Sequence, residues 1–361
     1  MYKGNLYKFR MEINVGKRLI AIVLILVNVI TLTSCASEQK RYQAEFMVLF
    51  NTVTKIVGYA DNKEDFDKYA QMIYDELKEY HELYDIYNDY EGINNIKTIN
   101  DNAGIKPVKV DKKIIDMLTY AKEAYKETDS KLNIALGAVL KVWHEYREEG
   151  IDNPEKAKVP PMELLEEKNK HTNIEDMIIN EEESTVYLND PEMSLDVGGV
   201  GKGYATEKVC QYAEENGFLN GMVSVGGNVR VIGSRDGKGD PWRVGIQNPD
   251  LTSEQANLYI LNLTEASLVS SGDYERFYMV DGVKYHHIID PATLMPSTYF
   301  TAVSIVCKDS GMADAYTKAI FNMSYEDGVK FVEAHPDIEA LWVFKNGDLK
   351  YSSGFEKYIR E

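Results

Sequence analysis

The 361-residue sequence predicts an α+β fold, antiparallel sheets packed with helices in a single domain. Three observations predict it. The second half carries short β-branched runs joined by hairpin signals at Gly226-Gly227-Asn228, Asp281-Gly282 and Asn346-Gly347. The first half carries apolar residues at helical spacing. Strands and helices follow one another in mixed order without internal repeats, and a composition 44% hydrophobic and 27% charged suits a chain that buries a substantial core.

The N-terminus stands apart from that core. Lys17 and Arg18 precede the apolar run LIAIVLILVNVI (19–30), then LTSC ends at Cys35. This is the pattern of a signal peptide, and the run is short of the roughly 20 residues that span a bilayer. Leu32–Cys35 resembles the lipobox of bacterial lipoproteins, which predicts cleavage after residue 34 and acylation of Cys35; Met11 is an equally good start. The expected organisation is a signal peptide over 1–34, a lipid-anchored tether over 35–45 and a folded domain over 46–361, held on the extracytoplasmic face of a bacterial plasma membrane. Cleavage removes five basic residues and one acidic residue, taking the net charge from −18 to −22. So acidic a surface repels nucleic acid. Cys210 and Cys307 then remain, read as buried thiols with one disulfide as the alternative.

Along the domain, FMVLFNTVTKIVGYA (46–60) reads as one strand. In residues 65–87, Phe66, Tyr69, Ile73, Leu77, Tyr80 and Tyr84 share one helical face, and residues 111–128 form a second helix. The charged stretch from Arg147 to Lys170, with Pro160-Pro161, reads as a surface excursion. SLDV (194–197) reads as a strand end and GGVG as a turn. Helices are expected over 202–216, closed by Gly217, and over 311–323, with Ser310 as N-cap.

Four stretches hold candidate chemistry. SLDVGGVGKGYATEKV (194–209) has neither the phosphate-loop nor the dinucleotide-binding glycine spacing, since Asp196 and Thr206 stand where those motifs need glycine. Its turn into a helix start still favours an anion, and Lys202 adds a full charge. In SSGDYERFY, Ser271, Asp273 and Arg276 lie near a strand edge, where Asp273 and Arg276 alone read as a surface ion pair. In YHHIIDP, alternation along a strand lets only one of His286 and His287 face a given site. In DSGMADAYTKAIFNM, Asp314 is i,i+4 to Lys318, yet it sits among alanines on an apolar helix, as a ligand for a hard cation would.

Together these stretches resemble the ApbE family of FAD:protein FMN transferases. The matching motifs are SLDVGGVGKGYA, VSVGGNVRVIG, PWRVGIQNP, SSGDYERFY, YHHIIDPATLMP and DSGMADAYTKAIF in order, with INNIKTIN and TDSKLNIALGAVLKVWHEY before them. The resemblance implies FAD as bound substrate, Mg²⁺ at its pyrophosphate, and transfer of FMN to a Thr or Ser hydroxyl of a membrane or secreted redox protein, with release of AMP. It places Asp196 and Lys202 on FAD, the Gly199 carbonyl and the Asp314 carboxylate on the metal, and His287 near the pyrophosphate as base or phosphate contact. Tyr84, Asn100 and residues 134–139 would wall the flavin and adenine. Ser271 and Ile288, in the same motifs, join the FAD-contacting set; Asp273 joins His287 as catalytic, and Thr317 joins the metal ligands.

Two positions depart from the family pattern. Where the family reads Asp-Ala-Leu-Ser-Thr, DAYTK puts Lys318 in place of a metal-ligating Thr, and an ammonium has three donors and no acceptor. It can salt-bridge Asp314 or offer its own charge to the pyrophosphate. Leu294 stands where the family has Gly, a change of turn shape. Two alternatives stay open on the same residues: a flavin-binding lipoprotein whose metal-dependent catalysis is impaired by Lys318, and an FAD pyrophosphatase in which water replaces the acceptor.

Overall fold

The computed structural model describes residues 39–47 and 49–360. The signal peptide and Cys35 lie outside them. The chain from Arg41 onward is one compact unit. Residues expected to belong to the tether instead form the first strand, β1 (Lys40–Phe46). The strand expected over 46–60 is broken by a 3-10 turn at Leu49–Asn51, where Phe50 (φ 53°) and Asn51 (φ 51°) are left-handed. The chain resumes as β2 (Thr54–Ala60).

Helix α1 (Lys63–Tyr84) follows, capped by the Asn62 side chain and burying Phe66, Ile73, Leu77, Tyr80 and Tyr84. Then come α2 (Ile96–Asp101), β3 (Val108–Lys109), α3 (Lys112–Glu127), α4 (Gly137–Asp152) and α5 (Met162–Asn169). The expected surface excursion is therefore largely helical: Arg147 lies within α4, and α5 inserts the fully buried Leu165. Val142, Trp143, Leu165, Tyr278 and Leu294 form a satellite core there, which accounts for order in so charged a stretch.

The remaining elements are β4 (Met177–Asn180), β5 (Thr185–Leu188), α6 (Gly201–Glu215), β6 (Gly221–Val225), β7 (Asn228–Ile232), β8 (Trp242–Gln247), β9 (Asn257–Leu263), β10 (Ala266–Gly272), β11 (Phe277–Val280), β12 (Val283–His286), β13 (Phe300–Cys307), α7 (Ser310–Phe321), α8 (Tyr325–Ala334), β14 (Glu339–Phe344) and β15 (Leu349–Tyr351). The three hairpins fold at the turns read from sequence. SLDV makes only an isolated parallel bridge, Ser194 to Leu136, because Asn100 and Ile134 take the neighbouring backbone groups. The N-cap of α7 is Asp309, which accepts from Met312 N, and not Ser310, which is buried in the first turn. Cys210 and Cys307 are free and buried. Among the described residues no helix is long and apolar enough to cross a membrane.

Eight strands form the main sheet in the order β1-β2-β6-β7-β10-β13-β14-β15, and its pairings from β2 to β15 are antiparallel. Alternation assigns its faces. Ile56, Ile232, Val269, Val303, Ile305 and Trp342 point to the core beneath α1, α6 and α7. Their neighbours Val57, Val231, Leu268, Val306 and Leu341 point the other way, under Trp242, Val244, Ile246, Leu261 and Leu263 of the β8–β9 ribbon. The site lies on the helical side, so the ribbon seals the rear. At the edges, β1 exposes Lys40, Arg41, Gln43 and Glu45 in part or whole, and β15 is three residues long.

Leu294 is buried yet left-handed (φ 59°), and its carbonyl accepts from Trp143 Nε1 at 2.9 Å. Leu294→Gly would relieve about 1–2 kcal/mol of left-handed strain, but removing a buried leucine costs about 3–5 kcal/mol. Packing wins, and the variant is expected to lose about 1–4 kcal/mol, seen as a lower urea midpoint at unchanged slope.

Candidate functional site

The site is built on the turn from Leu195 to Gly203. Asn100 clasps Leu195 on both sides, its Oδ1 accepting from Leu195 N at 2.7 Å and its Nδ2 donating to Leu195 O at 3.0 Å. Asp196 N then donates to Ile134 O at 2.8 Å, and Asp196 Oδ1 accepts from Gly198 N at 2.8 Å. Helix α6 begins immediately afterwards, and Gly203 N donates to Asp314 Oδ2 at 2.8 Å. The expected anion at this helix start is thus supplied first by the protein itself. Only glycine allows it: a Cβ on Gly203 would lie 2.3 Å from the Asp314 Cβ and 2.4 Å from Ser310 O.

Asp314 is 0% exposed. Its Oδ1 accepts from Lys318 Nζ at 2.7 Å, and its Oδ2 accepts from Asn228 Nδ2 at 2.9 Å as well as from Gly203. Asn228 Oδ1 accepts in turn from Lys202 Nζ at 3.3 Å, so two lysines and one carboxylate are joined through one amide. Burial alone would raise the Asp314 carboxyl, but the charges of Lys318 and Lys202 and the hydrogen bonds from Lys318 and Gly203 outweigh it and hold the group below the usual carboxylate range. Burial lowers the pKa of Lys202, while Asp314 opposes that shift.

In front of this cluster opens a cavity of about 340 Å³. Its lining includes apolar and aromatic side chains, Tyr84, Tyr87, Ile134, Leu136 and Trp143, and the cations Lys202, Lys318, Arg147 and Arg276. Sites of this size with an apolar lining and few convergent charges take small molecules. His287 lies on the wall, its N–H of the main chain donating to Arg276 O at 3.0 Å, while its Nδ1 is buried without a partner. His286 faces away, bonded to Ser297 O and Ile288 N, so one histidine faces the site as alternation requires. Burial, with Arg276 and Lys318 nearby, pushes the His287 pKa down to about 3. The imidazole is therefore neutral near pH 7. Burial raises the Asp196 carboxyl, opposed by the Gly198 N–H and by His144, Arg147 and Arg276.

Tyr84, Asp196, Gly199, Lys202, Ser271, His287 and Ile288 line the cavity. Asn100 does not line it; it holds the backbone that carries Asp196. Asp273 also lies off the wall, buried between Lys284 and Lys345, so its position is that of an anchor and not of a catalytic group, and it does not pair with Arg276. The Thr317 hydroxyl donates to Asp314 O at 2.9 Å, accepts from Ser271 Oγ at 2.9 Å and is absent from the wall. The expected divalent-metal ligands are therefore not gathered: Asp314 has both oxygens engaged, Thr317 is turned inward, and Lys318 stands between Asp314 and the cavity. Among the described residues no group of three or more His, Cys, Asp or Glu could hold a metal ion. The residues present do not fit a bound divalent cation.

Sequence reasoning missed Arg147, Trp143 and His144, which reach the wall from α4, and Asn228, read only as a turn residue. Trp143 and Arg147 are four apart on one helical face, a signal available in the sequence. Nothing local marked Phe50, Asn51 and Thr52, which reach the cavity through the break before β2.

Known proteins match this architecture. The model of the ApbE family matches residues 50–342. An FAD:protein FMN transferase of Klebsiella pneumoniae (strain 342) is 30% identical over 285 residues, covering 79% of this chain and 84% of the relative. The crystal structure of the ApbE protein from Thermotoga maritima MSB8 superposes with a TM-score of 0.78 at 29% identity, covering 89% of this chain and 100% of that one. The flavin transferase ApbE from Vibrio cholerae gives a TM-score of 0.73 at 25% identity, covering 89% and 99%.

Two outcomes follow from the geometry. Gly203→Ala should lose about 3 kcal/mol or more in chemical unfolding, from overpacking and a broken hydrogen bond to a charged group. For His287, the folded pKa lies below the unfolded value, so the unfolded chain binds more protons in acid. Its share of stability is lost as pH falls from the ordinary 6.5 towards about 3. Across that window the unfolding free energy of His287→Gln should fall less steeply with acid than that of the wild type.

Proposed function

We propose, since this chain belongs to the ApbE family, that it is an FAD:protein FMN transferase, joining FMN through a phosphoester bond to a Thr or Ser of an acceptor protein and releasing AMP. The observation that carries this reading is the cavity itself, whose lining combines aromatic side chains, then lysines and arginines, with the His287 imidazole. A flavin or adenine ring suits the first, a pyrophosphate the second.

The chemistry asks for charge neutralisation and alignment more than for covalent help. The acceptor hydroxyl oxygen bonds to the FMN phosphorus as the bond from that phosphorus to the AMP phosphate oxygen breaks. AMP leaves with the electron pair, and the hydroxyl proton goes to the His287 imidazole. A doubly anionic ligand offsets Arg276 and Lys318, two cations that depress this imidazole, and so raises its basicity. Lys202 stabilises the negative charge of the pyrophosphate and of the departing AMP. Mg²⁺ is the ion the family resemblance implies, and the residues do not present a site for it. The lipobox at Leu32–Cys35 supports anchoring of the mature enzyme on the extracytoplasmic face, with a membrane or secreted redox protein as acceptor.

Incubation with FAD and a Thr-bearing acceptor should leave the acceptor fluorescent after denaturing electrophoresis, with AMP released in step. No covalent flavin on a competent acceptor would overturn the reading, and FMN with AMP in the absence of acceptor would identify a pyrophosphatase. His287→Ala should slow transfer by about 10²–10⁴ while leaving FAD affinity within a few-fold, as measured by flavin fluorescence.

A further inference from the structure

We propose that the ammonium of Lys318 occupies the place of a divalent cation beside Asp314, so that lysine side chains receive the FAD pyrophosphate and the site works without a bound metal. The inference rests on the flavin reading above and adds to it how the phosphate charge is met.

The first ground is occupancy. Lys318 Nζ lies 2.7 Å from Asp314 Oδ1, and the other carboxylate oxygen already accepts from Gly203 N and Asn228 Nδ2. An incoming cation would have to displace the ammonium from a wholly buried carboxylate, leaving a cation expelled into the same cavity. The second ground is position. The Lys318 side chain is 17% exposed and lines the cavity, whereas Asp314 is 0% exposed behind it. A Cβ on Gly199 would lie 3.8 Å from Lys318 Cγ, so the lysine stem runs beside the residue expected to lend a carbonyl to metal. The third ground is the hydroxyl one residue earlier: Thr317 Oγ1 is spent on Asp314 O and Ser271 Oγ, facing away from the cavity.

Charge balance agrees. Asp314 and Lys318 cancel as a pair, and Lys202, Arg147 and Arg276 line the same cavity as Asp196 and Glu275, so a ligand carrying two negative charges meets protein cations there. A dication added beside two ammonium groups would be repelled by both and would overcompensate the ligand. In the transfer step Lys318 exchanges no atom; it stabilises the phosphate oxygens while the hydroxyl oxygen replaces AMP on phosphorus and His287 takes the proton.

Equilibrium FAD binding by the full-length protein, followed by flavin fluorescence in chelator and then with Mg²⁺, tests this directly. Wild type should bind with a Kd that differs by less than about three-fold between the two buffers. Lys318→Thr should bind at least about ten-fold more weakly in chelator and recover on adding Mg²⁺, while Lys318→Arg should keep its chelator-insensitive binding. Wild-type binding that appears only with Mg²⁺ would overturn the inference alone, leaving the transferase reading intact. So would Lys318→Thr binding as tightly as wild type in chelator. No FAD binding in either buffer would overturn both.

Discussion

A carboxylate removed from water must be matched by protein donors, or it drives the structure around it apart. Asp314 is matched from three elements at once: Lys318 on its own helix α7, the first turn of α6 through Gly203 N, and the start of β7 through Asn228. Each contact sets a distance the others depend on. The approach of α6 to α7 requires Gly203, the α6 start places Lys202, and Asn228 ties Lys202 back to the carboxylate. The helical layer over the sheet is therefore held in register by one buried charge, and the cavity is what that register leaves open.

The same charge explains the electrostatics of the site. With Asp314 satisfied inside the protein, the lysines and arginines on the wall are left for a ligand, and the neutral His287 sits among them with an unpaired nitrogen. An imidazole kept neutral by burial and by neighbouring cations gains basicity when an anion offsets those cations. Binding and proton acceptance are thus coupled through one field, with no moving part required.

Much of this was legible in the sequence because it was local. Hairpin turns at Asp281-Gly282 and Asn346-Gly347, the buried face of α1, and the helix starting at Lys202 all follow from periodicity and turn chemistry. The motif order brought Asp196, Lys202, Ser271 and His287 to one wall. What was not legible depended on distant partners. Asn100 could have walled a ligand or clasped a backbone, and only the position of Leu195, 95 residues on, decides it. Asp273 was read against Arg276 three residues away, but Lys284 and Lys345 reach it from a hairpin and from beyond β14. Arg147 was hidden by the charge of its surroundings, since a charged helix over a satellite core looks like a loop until Leu165 and Trp143 are seen packing together.

The two edges of the main sheet carry a separate consequence. An open antiparallel sheet offers unpaired backbone groups at both ends, yet here one end is a short three-residue strand and the other carries Lys40, Arg41, Gln43 and Glu45. Neither end presents a long apolar template on which a second copy could add its own strands. Copies held side by side at high density would meet through charge and hydration, and each would keep its own cavity open to the flavin and acceptor it must receive.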